Sequence, residues 1–333
     1  MRQLARMRRG AMTAALLAAT LTGSLITGCT AGGGKGGGTI DDGRGQTQEP
    51  SQGPTDGSHP TASGGSVLAV KIDNVRAARP QTGLDAADVV YAEQVEGGLS
   101  RLMAVYASKF PKVVGPVRSA RESDLELLRQ FDEPTLAFSG AQHKLLPLIN
   151  KSRLHAQPPG KVSGAFYRGT DKPAPHNLYL RPGQLMGSAP GSAALTTGFH
   201  FGAAPAGGSP ETSRTVRFPA ARFTFTWSDS RQRWLVDMDG TPTVTTEGTT
   251  VAPATVVVQY VKVHESQFHD FLGNNTPYTE TVGSGTAKVL RDGRVFTAHW
   301  ARPGATDGTE FTTTDGAPMN FAQGQVWVVF AKA

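Results

Sequence analysis

Cysteine is almost absent from this chain: its 333 residues contain one, Cys29. With that residue used as described below, the folded part has no thiol, which excludes disulfides, thiolate zinc centres and a cysteine nucleophile. Beyond residue 28 no apolar run approaches the roughly 20 residues that a membrane-crossing helix needs, so a polytopic membrane protein is excluded too. Charge of one sign is scarce. The formal net charge is +6, and no dense Lys/Arg stripe of the kind that tracks nucleic acid occurs.

Several catalytic signatures are missing as well. His264 and His269 stand five apart, which on a helix turns the second ring about 140° from the first, so the two-histidine zinc motif of metalloproteases is not formed. Gly283 to Lys288 lacks phosphate-loop spacing, and the folded part carries neither a Gly-x-Ser-x-Gly elbow nor a Ser-x-x-Lys pair. No metal and no cofactor is implied.

What is present begins with an addressed amino terminus. Arg2, Arg6, Arg8 and Arg9 precede an uncharged run from Ala11 to Gly28, which ends in Leu25-Ile26-Thr27-Gly28-Cys29. This reads as a lipoprotein signal peptide over residues 1–28, cut ahead of Cys29, whose acyl chains then hold the protein at the extracytoplasmic face of the cell membrane. An uncleaved signal anchor is the alternative. Arg8-Arg9 hints at twin-arginine export without the residues expected around such a pair. Residues 29–65 are rich in Gly, Ser, Thr, Pro and Asp and cannot bury enough apolar surface to fold, so they read as a flexible tether.

The rest has the length of about two domains. Strands are expected at Ser66–Asp73, Asp88–Val95, Leu102–Ala107 and Thr135–Ser139, with a helix opened by a capping box of Ser119 and Glu122 and ended before Pro134, and a short helix at Lys144–Asn150. This makes residues 66–200 an α/β-type domain with a mixed sheet. A Gly/Pro/Ala-rich stretch over 198–213 marks a boundary. Residues 214–333 then read as a mainly antiparallel β domain, with hairpins turning at Ser228-Asp229-Ser230 and Arg291-Asp292-Gly293 and further strands at Val256–Val263 and Val326–Phe330. The expected fold class is therefore α+β.

The charge is uneven between these halves. Residues 66–200 carry 16 basic and 11 acidic side chains, while residues 201–333 carry 11 and 12. An excess this mild suits a site for a small anionic group.

Four segments taken together, Val70-Lys71-Ile72-Asp73-Asn74, Ala78 to Leu84, Val95 to Arg101 and Gly115 to Arg121, resemble the YerB-like bacterial lipoproteins, a family of unknown function. Gly283 to Ala287, Asp292-Gly293, His299-Trp300 and Gln325-Val326-Trp327 are similar to that family's second domain. The resemblance implies a two-domain surface lipoprotein and supplies no reaction.

Candidate site residues follow from chemistry. Arg118, Ser119 and Arg121 surround a helix start, where unpaired amides and forked donors suit a phosphate or carboxylate; the alternative is that the arginines pair with Glu122, Asp124 or other carboxylates. Glu93 and Glu96 lie across a strand and point to opposite faces, so only one can share a pocket with Arg101; Glu96, before Gly97-Gly98, is the better choice, against a plain ion pair with Arg101. Asp73 and Asn74 end the first strand. His176 and Asn177 sit on the proline-stiffened loop Pro173-Ala174-Pro175, as a ligand contact, an acid/base group or merely the close of a turn; His143 could meet His176 in space, but two histidines do not make a metal site. All four tryptophans fall in the second half, as core packing or a carbohydrate platform.

Three functions are compatible with these residues. The leading one is a non-catalytic module that binds an anionic small molecule or cell-wall fragment near Glu96, Arg101, Arg118 and Arg121. The second is an envelope hydrolase or transferase using Glu96 or His176, and the third a scaffold that presents its β domain to an unknown protein partner.

Overall fold

The computed structural model describes residues 65–270 and 273–333. The expected signal peptide, the acylation position Cys29 and the tether as far as residue 64 lie outside the described residues.

The first half supplies β1 (Leu68–Asp73), β2 (Val89–Gln94) and β3 (Ser100–Tyr106), then α1 (Glu122–Leu128), β4 (Thr135–Ala137), α2 (Leu146–Lys151), β5 (His155–Gln157), β6 (Phe166–Arg168), β7 (Leu178–Leu180) and α3 (Pro182–Met186). The second half is strands alone: β8 (Ser209–Pro210), β9 (Ser213–Phe218), β10 (Ala221–Ser228), β11 (Arg233–Met238), β12 (Thr241–Pro242), β13 (Thr255–Val261), β14 (Val263–His269), β15 (Asn275–Thr279), β16 (Gly283–Arg291), β17 (Arg294–Arg302), β18 (Glu310–Thr313) and β19 (Val326–Lys332).

Ten of these strands form one continuous path, β18-β17-β16-β13-β19-β2-β3-β1-β4-β5, with β8 added against β17. The sheet is mixed: β1 pairs antiparallel with β3 but parallel with β4, and β19 runs parallel to both β2 and β13. The segments on either side of residues 198–213 thus share a sheet, joined through β19. Strands rich in Val, Ile and Ala occupy its middle because both faces are covered, and every residue of β1 is buried.

One face carries Val70, Ile72, Val90 and Leu102 and meets Phe223, Phe225 and Trp234 from the smaller sheet β12-β11-β10-β9. The other carries Ala69, Tyr91, Met103 and Val105 and meets Leu127 and Leu128 of α1 with Ile149 of α2. Trp234, Trp300 and Trp327 are buried in these layers and Trp227 packs against Trp234, so the tryptophans are core and form no open platform. Asp292 and Gly293 turn the β16–β17 hairpin with φ of 52° and 68°, the left-handed pair a two-residue turn requires. No helix among the described residues is long and apolar enough to cross a membrane.

One local expectation is corrected. Ser119 does not cap α1. The helix starts at Glu122 after an extended Arg121, and the Asp124 carboxylate accepts the Arg121 backbone N–H at 2.7 Å. Asp124 takes this place because it is anchored from below by Lys71, whereas Glu122 is drawn away to accept the Ser266 hydroxyl.

Candidate functional site

The register of β1, β3 and β2 sets Asp73, Arg101 and Glu93 in one row across the sheet. Side chains two apart on a strand share a face, so Lys71 lies on that same face behind Asp73. Four cations and four carboxylates gather where α1 closes over it. Lys71 is fully buried and ion-paired with both Glu93 and Asp124. Its burial costs the ammonium most of its stabilisation by water and pulls its pKa down to about 8, against the pull of Asp124.

Above that buried trio the segment Gly115–Arg121 is stitched to the sheet edge. The Asp73 N–H donates to Pro116 O, and the Arg118 N–H donates to Lys71 O. This places Arg118 Nε 3.2 Å from Asp73 Oδ2, an oxygen that also receives His176 Nδ1 at 2.8 Å. Arg121 holds Glu96 with a two-pronged contact, Nε to Oε1 at 2.6 Å and Nη2 to Oε2 at 2.8 Å, and Thr276 donates to the same Oε1. Burial would raise the Glu96 pKa, but the hydrogen bonds from Arg121 and Thr276 outweigh it and keep the carboxyl below its ordinary value.

Since Lys71 takes two carboxylates, one cation is left over, and it is Arg101. Among the described residues no carboxylate forms an ion pair with it, and its guanidinium donates from Nη1 to Ser119 O at 2.9 Å. Burial and the nearby Arg121 lower its pKa to about 9, so it remains charged at neutral pH. Asp73, Glu96, Arg101, Arg118, Ser119 and Arg121 all line one cavity of about 650 Å³, a size that suits a small ligand. Val75, Val95, Leu99, Leu145 and Phe268 give it apolar walls, and His143, Pro175 and residues 268–270 complete its rim.

The remaining expected residues sit differently. His176 touches the cavity only through Asp73, with Pro175 in the lining. Asn177 is not brought into the site: it bonds Arg168 and the Gly169 carbonyl in the β6–β7 hairpin. Asn74 is a structural joint, bonded to Ser100, Arg79 and Gln81. The expected pairing of Glu96 with Arg101 is replaced by Glu96 with Arg121. At the helix start the Arg121 N–H, which an anion would meet, is already taken by the Asp124 carboxylate.

Sequence reasoning missed Lys71, Asp124 and Thr276. A lysine inside the apolar run Leu68–Ile72 was the available signal for the first, since such a position is buried only with partners. Thr276 and Phe268 come from the β14–β15 hairpin, and nothing local ties that hairpin to residue 96. No group of three or more His, Cys, Asp or Glu among the described residues is arranged to hold a metal ion.

Comparisons with known proteins place this geometry. Residues 55–195 match the family model described as "Protein of unknown function (DUF3048) N-terminal domain", and residues 214–328 match the corresponding C-terminal domain. Over 65 residues the chain is 46% identical to the "Putative lipoprotein YerB" of Bacillus subtilis (strain 168); this alignment spans 20% of each protein. The crystal structure of YerB protein from Bacillus subtilis superposes with a TM-score of 0.67 at 20% identity, covering 83% of this chain and 94% of that one. At that identity the likeness shows the fold.

Proposed function

We propose a binding role for this chain, which belongs to the YerB-like, two-domain DUF3048 family of unknown function: it holds an anionic small molecule or cell-wall fragment in the cavity over Arg101. The observation that carries this reading is the half-buried Arg101 guanidinium, which faces the cavity with one carbonyl partner while its neighbours Arg118 and Arg121 are each neutralised. A carboxylate or phosphate seated there would accept forked hydrogen bonds from Arg101 and supply the charge that Lys71 withholds. The apolar walls favour a ligand whose acidic group is attached to a less polar body.

Its test is equilibrium binding of phosphorylated sugars and wall fragments to the chain and to Arg101→Met. A charged hydrogen-bond donor contributes about 1.5–3 kcal/mol, so affinity should fall by at least about tenfold. Equal affinity in the two forms overturns the reading.

The chain is related to a protein described as a lipoprotein, and acylation at Cys29 would hold the cavity near the outer face of the membrane. Cys29→Ala should then move the protein from the membrane fraction to the soluble fraction, and a variant that stays with the membrane would refute anchoring at this residue.

A second reading, an envelope hydrolase or transferase, has one observation in its favour. The Asp73–His176 hydrogen bond fixes one ring nitrogen of an imidazole at the cavity edge, the arrangement an acid/base histidine uses. It requires a turnover that disappears in His176→Ala.

A further inference from the structure

A second depression, of about 460 Å³, adjoins the Arg101 cavity and shares Val75, Leu99 and Ser100 with it. Leu99, 39% exposed, stands on the saddle between them. The far wall is the β9–β10 hairpin, brought close because Gly98 has no side chain. A Cβ there would lie 2.5 Å from Pro219 Cβ, and the Gly98 carbonyl accepts the Ala220 N–H at 2.8 Å.

Three arginines, Arg76, Arg217 and Arg222, line this depression, and all three are exposed. Arg217 and Arg222 are direct cross-strand partners on β9 and β10. Like charges opposite one another destabilise a sheet, so such a pair calls for something that offsets it. Among the described residues no carboxylate does. Among the described residues none of the three side chains makes an ion pair, and Asp239, the carboxylate in the lining, is already engaged by the Arg79 guanidinium and the Arg222 backbone N–H.

We propose that this depression is a second anion subsite and that the ligand is a linear polyanion, a chain with acidic groups at intervals, running from the Arg101 cavity over Leu99 to Arg76, Arg217 and Arg222. This rests on the reading of the Arg101 cavity as an anion site. A single ligand in both places gains from linkage, since the second contact is made at the high effective concentration set by the first. Phosphodiester and polycarboxylate chains share the required chemistry.

The test measures binding of orthophosphate, tripolyphosphate and long-chain inorganic polyphosphate to the full chain, with polyglutamate in parallel to separate a phosphate from a carboxylate polymer. The variants are Arg217→Ala/Arg222→Ala, Arg101→Met, and Lys112→Ala/Arg231→Ala as a charge-matched control elsewhere on the surface. Wild type should prefer the long chain to orthophosphate by about 100-fold. The Arg217/Arg222 variant should cut that preference below about tenfold while leaving orthophosphate binding within about twofold, and the control should change neither.

A preference that survives in the Arg217/Arg222 variant, or one absent from wild type, overturns the second subsite and leaves the first reading standing if Arg101→Met abolishes orthophosphate binding. Orthophosphate binding that is indifferent to Arg101→Met overturns both. An equal loss in the control reduces the effect to overall charge and also overturns the proposal.

Discussion

Two regions on either side of α1 each hold an arginine without an ion pair, and the protein treats them in opposite ways. At the carboxyl end, Arg302 is fully buried and donates from all three of its nitrogens. Its Nε donates to Asp307 O, its Nη1 to the Thr281 hydroxyl, and its Nη2 to the carbonyls of Glu126, Leu127 and Ala305. It caps the last carbonyls of the helix and favours its dipole. At the amino end, Arg101 makes one such bond and turns the rest of its guanidinium toward a cavity. Burial lowers the pKa of both. The contrast separates a cation used to close the structure from one left for something outside it, and the criterion is hydrogen-bond satisfaction, since neither has a carboxylate partner.

That contrast can be broken by substitution. Arg302→Met strips donors from four carbonyls and a hydroxyl and should cost about 5 kcal/mol in urea denaturation, so a loss near zero would remove the distinction. Lys71→Met leaves Glu93 and Asp124 buried and uncompensated, with an expected loss of about 4 kcal/mol that Glu93→Gln and Asp124→Asn together restore in part. Arg101→Met should behave oppositely to Arg302→Met: stability within about 1 kcal/mol of wild type or slightly higher, with ligand binding lost, as expected where a site is held at the expense of stability.

The smallest effect is in pH dependence. The folded pKa of Glu96 lies below its ordinary 4.5, so the unfolded chain takes up the proton first. The stabilisation is complete above that value and is lost as pH falls through the folded one. Glu96→Gln should flatten thermal stability against pH below about 4.5 relative to wild type, and an unchanged profile would show that Arg121 and Thr276 do not hold the charged form.

Much of this was legible along the chain. The apolar runs of β1, β2, β13 and β19 and the Asp292-Gly293 turn are local signals, and local signals survive folding. The pairing of Arg121 with Glu96 was not legible, nor was the isolation of Arg101, because both depend on Lys71 claiming one carboxylate from a strand and another from a helix. Asn177 shows the reverse error. Its place on a proline-stiffened loop looked functional, but a hairpin of two three-residue strands had a use for its amide. The capping box failed for a tertiary reason as well, since Asp124 is fixed by a lysine 53 residues away.

The position of β19 has a consequence for how the sheet is closed. Val326–Val329 pair with Val89–Ala92 on one side, while Thr255–Val261 lie on the other. Of the described strands, the one latest in sequence therefore occupies the middle of the sheet. Without it β2 and β13 would each have an unpaired edge, and the two halves of the sheet would have no strand in common. The pairing that closes this sheet is thus among the most distant along the chain, which places the protein with slowly forming, non-local topologies.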